Sequence, residues 1–326
     1  MTTDALLGDD FETRLLPLAP DAEGEQHATL IRLRPADAGS DGDTVAKPTR
    51  AVLYVHGFVD YFFQRELAAY YRDRGFAFYA LDLRKSGRSL RPHQTPYFVR
   101  SVSEWYEELD AAADAIRADG ATQLLVNGHS TGGLAAALWA HARRDDAARR
   151  PDALFLNSPF LSLNAAPLVR AAGATLAALR ARTDPYAVMP AGLSELYVQS
   201  IHSDHRGEWS FDLELKPVEG VPVRAGWLRA VHAAHRRVAR GLDVRGPILV
   251  LCSAASSRPK AWDEILLRSD SVLDAEQIAR RATRLGRHVT CVRIDDGMHD
   301  LVLSAPPVRA QVYAELGQWL DAYLPA

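Results

Sequence analysis

Cysteine is nearly absent from this chain: 326 residues include only Cys252 and Cys291. Two thiols make no disulfide framework, and each lies in an apolar run, 248–252 or 289–294, so both are expected as buried free thiols in a reducing cytoplasm. Lysine is scarce as well, supplying only Lys47, Lys85, Lys216 and Lys260 of the 38 basic residues. The arginine clusters Arg143-Arg144, Arg149-Arg150 and Arg236-Arg237 fall in helix-like segments and read as solvated faces. A formal net charge of −3 leaves no positive excess to attract nucleic acid, so no such partner is expected. No run approaches the roughly 18 apolar residues of a transmembrane helix. Met1-Thr2-Thr3-Asp4-Ala5 also lacks the basic start and apolar core of a secretory leader, which leads to a cytoplasmic expectation. Repeats and low-complexity tracts are missing too. The 48% hydrophobic and 24% charged shares are ordinary for a soluble protein, and the length accommodates one α/β core plus a lid. Nothing in these features fixes the oligomeric state.

What is present is alternation. Segments 11–18 and 27–34 read as two opening strands, and 35–49 as a polar Gly- and Asp-rich connection. From residue 51 strands alternate with helices: strand 51–55, helix 64–74, strand 77–82, helix 104–118, strand 123–127, a further helix, and strand 153–157. Such alternation predicts a mostly parallel central sheet with helices on both faces. The pattern then breaks. Residues 159–245 contain no convincing strand, but Leu168, Val169, Ala172, Leu176 and Leu179 share a helical face, and a second helix runs over 223–240 to Gly241. Pro247 and the run from Ile248 return the chain to the sheet. The organisation expected is a core of 1–158 and 246–326 with a helical cap, 159–245, inserted after the strand that follows residue 130.

Gly128-His129-Ser130-Thr131-Gly132 sits between the strand-like Leu124-Leu125-Val126 and the helix-like 133–138. A serine on a sharp strand-to-helix turn, with glycine two residues before and after because a Cβ there would collide with neighbouring elements, is a nucleophile elbow. A hydroxyl needs a base, a group to orient the base, and donors for the oxyanion. The chain supplies candidates in the order serine, acid, histidine. Upstream, the strand 51–55 ends in His56-Gly57-Phe58. Downstream come Ser269-Asp270-Ser271 and Gly297-Met298-His299-Asp300. The backbone N–H groups of Phe58 and Thr131 would form the oxyanion hole.

Carried by His56-Gly57-Phe58, Arg74-Gly75-Phe76 with Leu81-Asp82-Leu83-Arg84, Gly128 to Gly133 and Gly297 to Asp300, the chain resembles the α/β-hydrolase superfamily over residues 52–320. Within it, it is similar to the bacterial monoacylglycerol lipase and lysophospholipase group of serine hydrolases. It departs from that group in reading Val59-Asp60-Tyr61 where Gly-Glu-His is usual, and in a longer stretch before the acid. The resemblance implies a carboxylic ester hydrolase acting through an acyl-enzyme, with Ser130 as nucleophile, His299 as base and Asp270 as acid. The substrate implied is a small apolar ester, with no cofactor and no metal. A thioesterase, amidase or aminopeptidase could use the same residues, and a non-catalytic ligand-binding member of the fold is the other reading.

The acid has a second candidate in Asp263, inside the longer segment 253–268, while Asp274 reads as a helix cap. Asp295, Asp296 and Asp300 read as turn residues beside the histidine. His129 is expected to pack behind the serine, and His56 to order the oxyanion loop. His202/His205 and His232/His235 have a spacing one helix face could offer a metal, but no cysteine joins them and they read as surface pairs. Among the aromatics of 58–63, Phe58 is assigned to the substrate pocket, while Phe62 and Phe63 could equally pack the loop on the core.

Overall fold

The computed structural model describes residues 1–35, 48–163 and 167–325, with backbone only for 167–171. Most of the 35–49 connection, and the side chains of Leu168 and Val169, lie outside these residues. A nine-stranded sheet runs in the order β1-β2-β3-β5-β4-β6-β7-β8-β9. Its antiparallel beginning is β1 (Thr2–Asp4), β2 (Gly8–Asp21) and β3 (Gly24–Leu33), with β3 pairing antiparallel to β5 (Phe76–Asp82). From there every pairing is parallel, through β4 (Arg50–Val55), β6 (Gln123–His129), β7 (Ala153–Asn157), β8 (Ile248–Ser253) and β9 (Val289–Ile294).

The central strands are apolar at almost every position because both faces are covered. Alternate residues feed two cores. Leu53, Val55, Leu124, Val126, Leu154 and Val250 meet α2 (Tyr106–Ala118) and α3 (Ser130–Ala142) on one face. Val52, Tyr54, Phe78, Leu125, Phe155 and Leu249 meet α1 (Arg65–Asp73) and α8 (Pro306–Tyr323) on the other.

Between β7 and β8 the described residues hold no sheet strand, only α4 (Pro167–Thr183), α5 (Glu195–Ile201) and α6 (Ala225–Ala239). On α4, Leu176 and Leu179 are more than half exposed, whereas Ala177 and Ala181 are buried. Small alanines let α4 approach α6 closely, so helical spacing identified the helix but not the face it buries. Burial of both cysteines is corrected as well: Cys252, on an interior strand, is buried, whereas Cys291 is exposed because β9 forms the sheet edge. Among the described residues no helix is long and apolar enough to cross a membrane.

Candidate active site

At the junction of β6 and α3 the backbone turns in a single residue, and Ser130 takes a φ of 50°. That conformation is strained for a side-chain-bearing residue and lifts Oγ clear of the helix. The turn is possible only with glycine around it. A Cβ on Gly132 would lie 2.3 Å from the carbonyl oxygen of Val55, and one on Gly128 would lie 2.7 Å from Gly133 Cα.

Ser130 Oγ lies 3.0 Å from His299 Nε2, and His299 Nδ1 lies 2.9 Å from Asp270 Oδ2. The imidazole is carried by the loop after β9, the carboxylate by the loop after β8. Asp270 is wholly buried, and its other oxygen accepts the amides of Val272 and Leu273 at 2.9 and 2.7 Å, which fixes the carboxylate plane. With Oδ2 an acceptor only, Nδ1 carries the proton and Nε2 is left to accept from the serine hydroxyl. Asp263 is exposed and caps the short turn Glu264–Leu267 by accepting the amide of Ile265, far from any such role. Asp274 caps α7 (Ala275–Ala282) through the amide of Gln277.

The loop facing the serine is built from the 56–63 segment. His56 Nε2 accepts the Leu83 amide at 3.0 Å, so Nδ1 bears hydrogen and donates to the Gly57 carbonyl at 2.7 Å. Asp82 Oδ1 accepts the Phe62 amide at 2.9 Å, and its second oxygen pairs with Arg88. The Leu81-Asp82-Leu83-Arg84 run thus braces this loop from β5. Phe62 is buried against Phe11, Tyr54 and Phe78, and Phe63 against Tyr61 and Phe211, so both pack the loop on the core. Phe58 alone of the three faces the cavity, 4.2 Å between ring centroids from Trp227 of α6.

That cavity, about 650 Å³, brings together Phe58, Ser130, Thr131 and His299 beneath the insert, with walls from Phe160, Met189, Val223, Trp227, Leu228 and Leu273. Ligand sites typically have this size and largely apolar character.

Two contributions were not legible in the sequence. Asp300, read as a turn residue, is buried: its carboxylate accepts Asn157 Nδ2 at 2.6 Å and Gln64 Nε2 at 3.3 Å. The turn itself is made by exposed Asp295 and by Asp296, at φ 55°. The amide of Leu301 donates to Asn157 Oδ1 at 3.2 Å, so this network anchors the chain immediately after His299. The second contribution comes from the insert, which sends Tyr197 edge-on to His299 at 5.5 Å and buries Lys216 against Asp60. Burial raises the Tyr197 phenol far above its ordinary range, so it stays neutral. The histidine pairs also differ from expectation. His202, His232 and His235 are buried rather than on the surface, and His202 and His235 place Nε2 at 3.0 and 2.8 Å from the carbonyls of Phe211 and Phe160. Among the described residues no cluster of three or more ligating side chains suits a metal.

His129 packs behind the serine, its ring 4.9 Å from that of His299 and Nδ1 3.2 Å from the Asn157 carbonyl. Burial pushes its pKa below the usual histidine range, outweighing the pull of Asp300. The folded chain therefore binds fewer protons here than the unfolded chain as pH falls through about 6.5, and it loses stability over that window at up to about 1.4 kcal/mol per unit. His129→Asn, which keeps a donor for the Asn157 carbonyl, should show a shallower loss in urea melts between about pH 7.5 and 5.5. A slope equal to that of the unaltered protein would show that His129 is not the group responsible.

A serine raised on such a turn at the carboxyl edge of a mostly parallel sheet, within reach of an oriented imidazole, makes this a serine hydrolase of the α/β-hydrolase fold. More narrowly, the chain belongs to the serine aminopeptidase S33 family, whose pattern matches residues 46–306. No curated protein matches the sequence. Among solved structures, the chain is similar to a soluble variant of the monoglyceride lipase of Saccharomyces cerevisiae in complex with a substrate analogue, at 16% identity and TM-score 0.64, covering 95% of each chain. It is also similar to the monoacylglycerol lipase of Paleococcus ferrophilus, at 18% identity and TM-score 0.60, covering 83% of this chain and 93% of that one. Est1E of Butyrivibrio proteoclasticus, with ferulic acid bound, matches at 16% identity and TM-score 0.55, covering 93% and 96%. At these identities the likeness is one of fold.

Proposed function

We propose that this protein cleaves carboxylic esters through an acyl-enzyme, with Ser130 as nucleophile, His299 as general base and acid, and Asp270 as the group that orients the imidazole. The observation that carries this reading is the unbroken hydrogen-bonded line from Ser130 Oγ through His299 to Asp270, at 3.0 and 2.9 Å. As Oγ attacks the carbonyl carbon, its proton passes to Nε2, and charge collects on the carbonyl oxygen between the N–H groups of Phe58 and Thr131. Collapse expels the alcohol, which takes the proton from Nε2. Water then repeats the sequence on the acyl-enzyme and frees the acid.

Residues 159–245 act in this reading as a cap over the cavity, enclosing the substrate and setting its size. The cavity chemistry favours an apolar ester over an aminoacyl substrate, even though the family bears the name of an aminopeptidase. A free α-ammonium needs an unpaired carboxylate, and the one acid among the described residues that line the cavity, Asp60, is already neutralised by Lys216 at 2.8 Å. The monoglyceride lipases, and Est1E with ferulic acid bound, share the fold and are consistent with an ester in such a space.

Two measurements test the reading. A fluorophosphonate should label Ser130 in the unaltered protein, and absence of labelling would point to a member of the fold that binds without turnover. A series of p-nitrophenyl esters, compared by kcat/KM below their micelle concentrations, should rise with acyl length and then fall. Each buried methylene contributes about 0.8 kcal/mol until the cavity is filled. Negligible rates with every ester alongside good turnover of thioesters or aminoacyl amides would overturn ester cleavage.

A further inference from the structure

Stretch 211–216 of the insert lies across the loop that presents Phe58. The Asp212 amide donates to Tyr61 Oη at 2.6 Å, Tyr97 Oη donates to the Leu215 carbonyl at 2.8 Å, and the rings of Phe211 and Phe63 stand 4.7 Å apart. At its end Lys216 Nζ meets Asp60 Oδ1 at 2.8 Å. Both side chains are almost completely buried, and the ammonium is boxed by the rings of Phe63, Phe211 and Tyr197 at 5.1, 5.3 and 5.7 Å. Burial opposes ionisation of Asp60, but the charge of Lys216 beside it holds its carboxyl below the usual range. The second oxygen of Asp60 accepts the Gly57 amide at 3.4 Å.

Between Phe58 and Asp60 stands Val59, a β-branched residue at φ 53°. Such a backbone is a true outlier and persists only where its surroundings over-determine it. A buried ion pair is a poor device for stability alone, since apolar residues of similar volume usually serve the fold as well or better. Its geometry is what an apolar pair could not supply: a fixed carboxylate, held from the insert, that grips the turn on both sides of Phe58.

Resting on the ester-hydrolase reading above, we propose that Asp60 and Lys216 are positioning residues for the oxyanion hole. Lys216 fixes the Asp60 carboxylate, the carboxylate holds the Gly57 amide and the strained Val59, and the Phe58 N–H is thereby aimed at the developing oxyanion. The hole is complete only while 211–216 is packed on the core, so the insert contributes to catalysis as well as to substrate size.

The test uses the full chain with Lys216→Met, Lys216→Arg, Asp60→Asn and the Asp60→Asn/Lys216→Met double variant. For each, kcat, KM, the pH profile and thermal stability are measured. The inhibition constant of an alkyl trifluoromethyl ketone, whose hemiketal places an oxyanion in the hole, is measured alongside. Lys216→Met should lower kcat about tenfold to a hundredfold, up to the loss seen when one oxyanion donor is removed. KM should stay within about twofold, and ketone affinity should fall by the same factor as kcat. The acidic limb of the pH profile should not move, because the base is untouched. Lys216→Arg should recover part of the loss, and the double variant should be no worse than the poorer single one, since the two act as a unit.

Wild-type kcat and ketone affinity in Lys216→Met, even with a lowered melting temperature, would overturn the proposal, as would single losses that multiply in the double variant. Should Lys216→Met fail to fold, the isosteric Asp60→Asn carries the same test. Failure of a fluorophosphonate to label the unaltered protein would overturn the ester-hydrolase reading itself. Normal labelling of the unaltered protein, with equal labelling rates in Lys216→Met and Asp60→Asn, would overturn this proposal alone.

Discussion

Ser130→Ala is expected to reduce ester turnover by at least about 10³-fold, the scale on which loss of a triad nucleophile acts. The change deletes one oxygen and leaves in place the Cβ that a side chain on Gly57 would approach to 3.2 Å. No large loss of stability should follow, because the strained φ of 50° is unchanged in kind and the hydroxyl's partner, His299 Nε2, faces a cavity that admits water. Some rate above the uncatalysed reaction should remain, since in the proposed mechanism the cavity and the Phe58 and Thr131 N–H groups would still bind the substrate and polarise its carbonyl. Turnover on p-nitrophenyl esters, circular dichroism and loss of fluorophosphonate labelling together check the result. Near-normal turnover in the purified variant would remove Ser130 from the mechanism.

Asp270→Asn should cost about as much, on the order of 10⁴-fold in kcat, because it reverses the proton placement on His299. The amides of Val272 and Leu273 already donate to Oδ1, and an asparagine that keeps those bonds must turn its NH₂ toward His299. Nδ1 then becomes the acceptor, the proton moves to Nε2, and the imidazole can no longer take one from the serine. Asp263→Asn, by contrast, exchanges one good cap for another at an exposed turn and should leave kcat unchanged and stability within a few tenths of a kcal/mol. The two variants need only be compared by kcat under conditions where both are folded. A larger loss in Asp263→Asn would transfer the acid role to that residue.

Much of the site could be read in advance because its parts are local. The elbow is a rule about adjacent residues, with glycines where a Cβ would strike Val55 or Gly133 and a serine where the backbone reverses. Strand alternation is local too, since β6, β7 and β8 are buried on both faces and so are apolar throughout. Asp270 was separable from Asp274 by cap spacing, but separating it from Asp263 needed the 2.9 Å contact with His299 across 29 residues of chain. The readings that failed all concerned surroundings. Asp300 follows the histidine in sequence like a turn residue, and nothing nearby announces that Gln64 and Asn157 will converge on it. Cys291 lies in a run as apolar-looking as that of Cys252, and only the strand order makes one an edge and the other interior.

By itself, then, the sequence determined a mostly parallel α/β sheet interrupted after the strand at 153–157, a serine on a strained turn, and the order in which serine, acid and histidine occur. Those features follow from hydrophobic period, glycine sterics and capping, all of which act within a few residues. Only the tertiary structure decided which carboxylate reaches the imidazole, which aromatic rings face the cavity, and that Tyr197 and Lys216 come down from the insert to touch the histidine and the Phe58 loop. Hydrogen bonds and ion pairs act over about 3 Å in space whatever the separation along the chain, so a pairing such as Asp60 with Lys216, 156 residues apart, leaves no period or spacing in the sequence to be read.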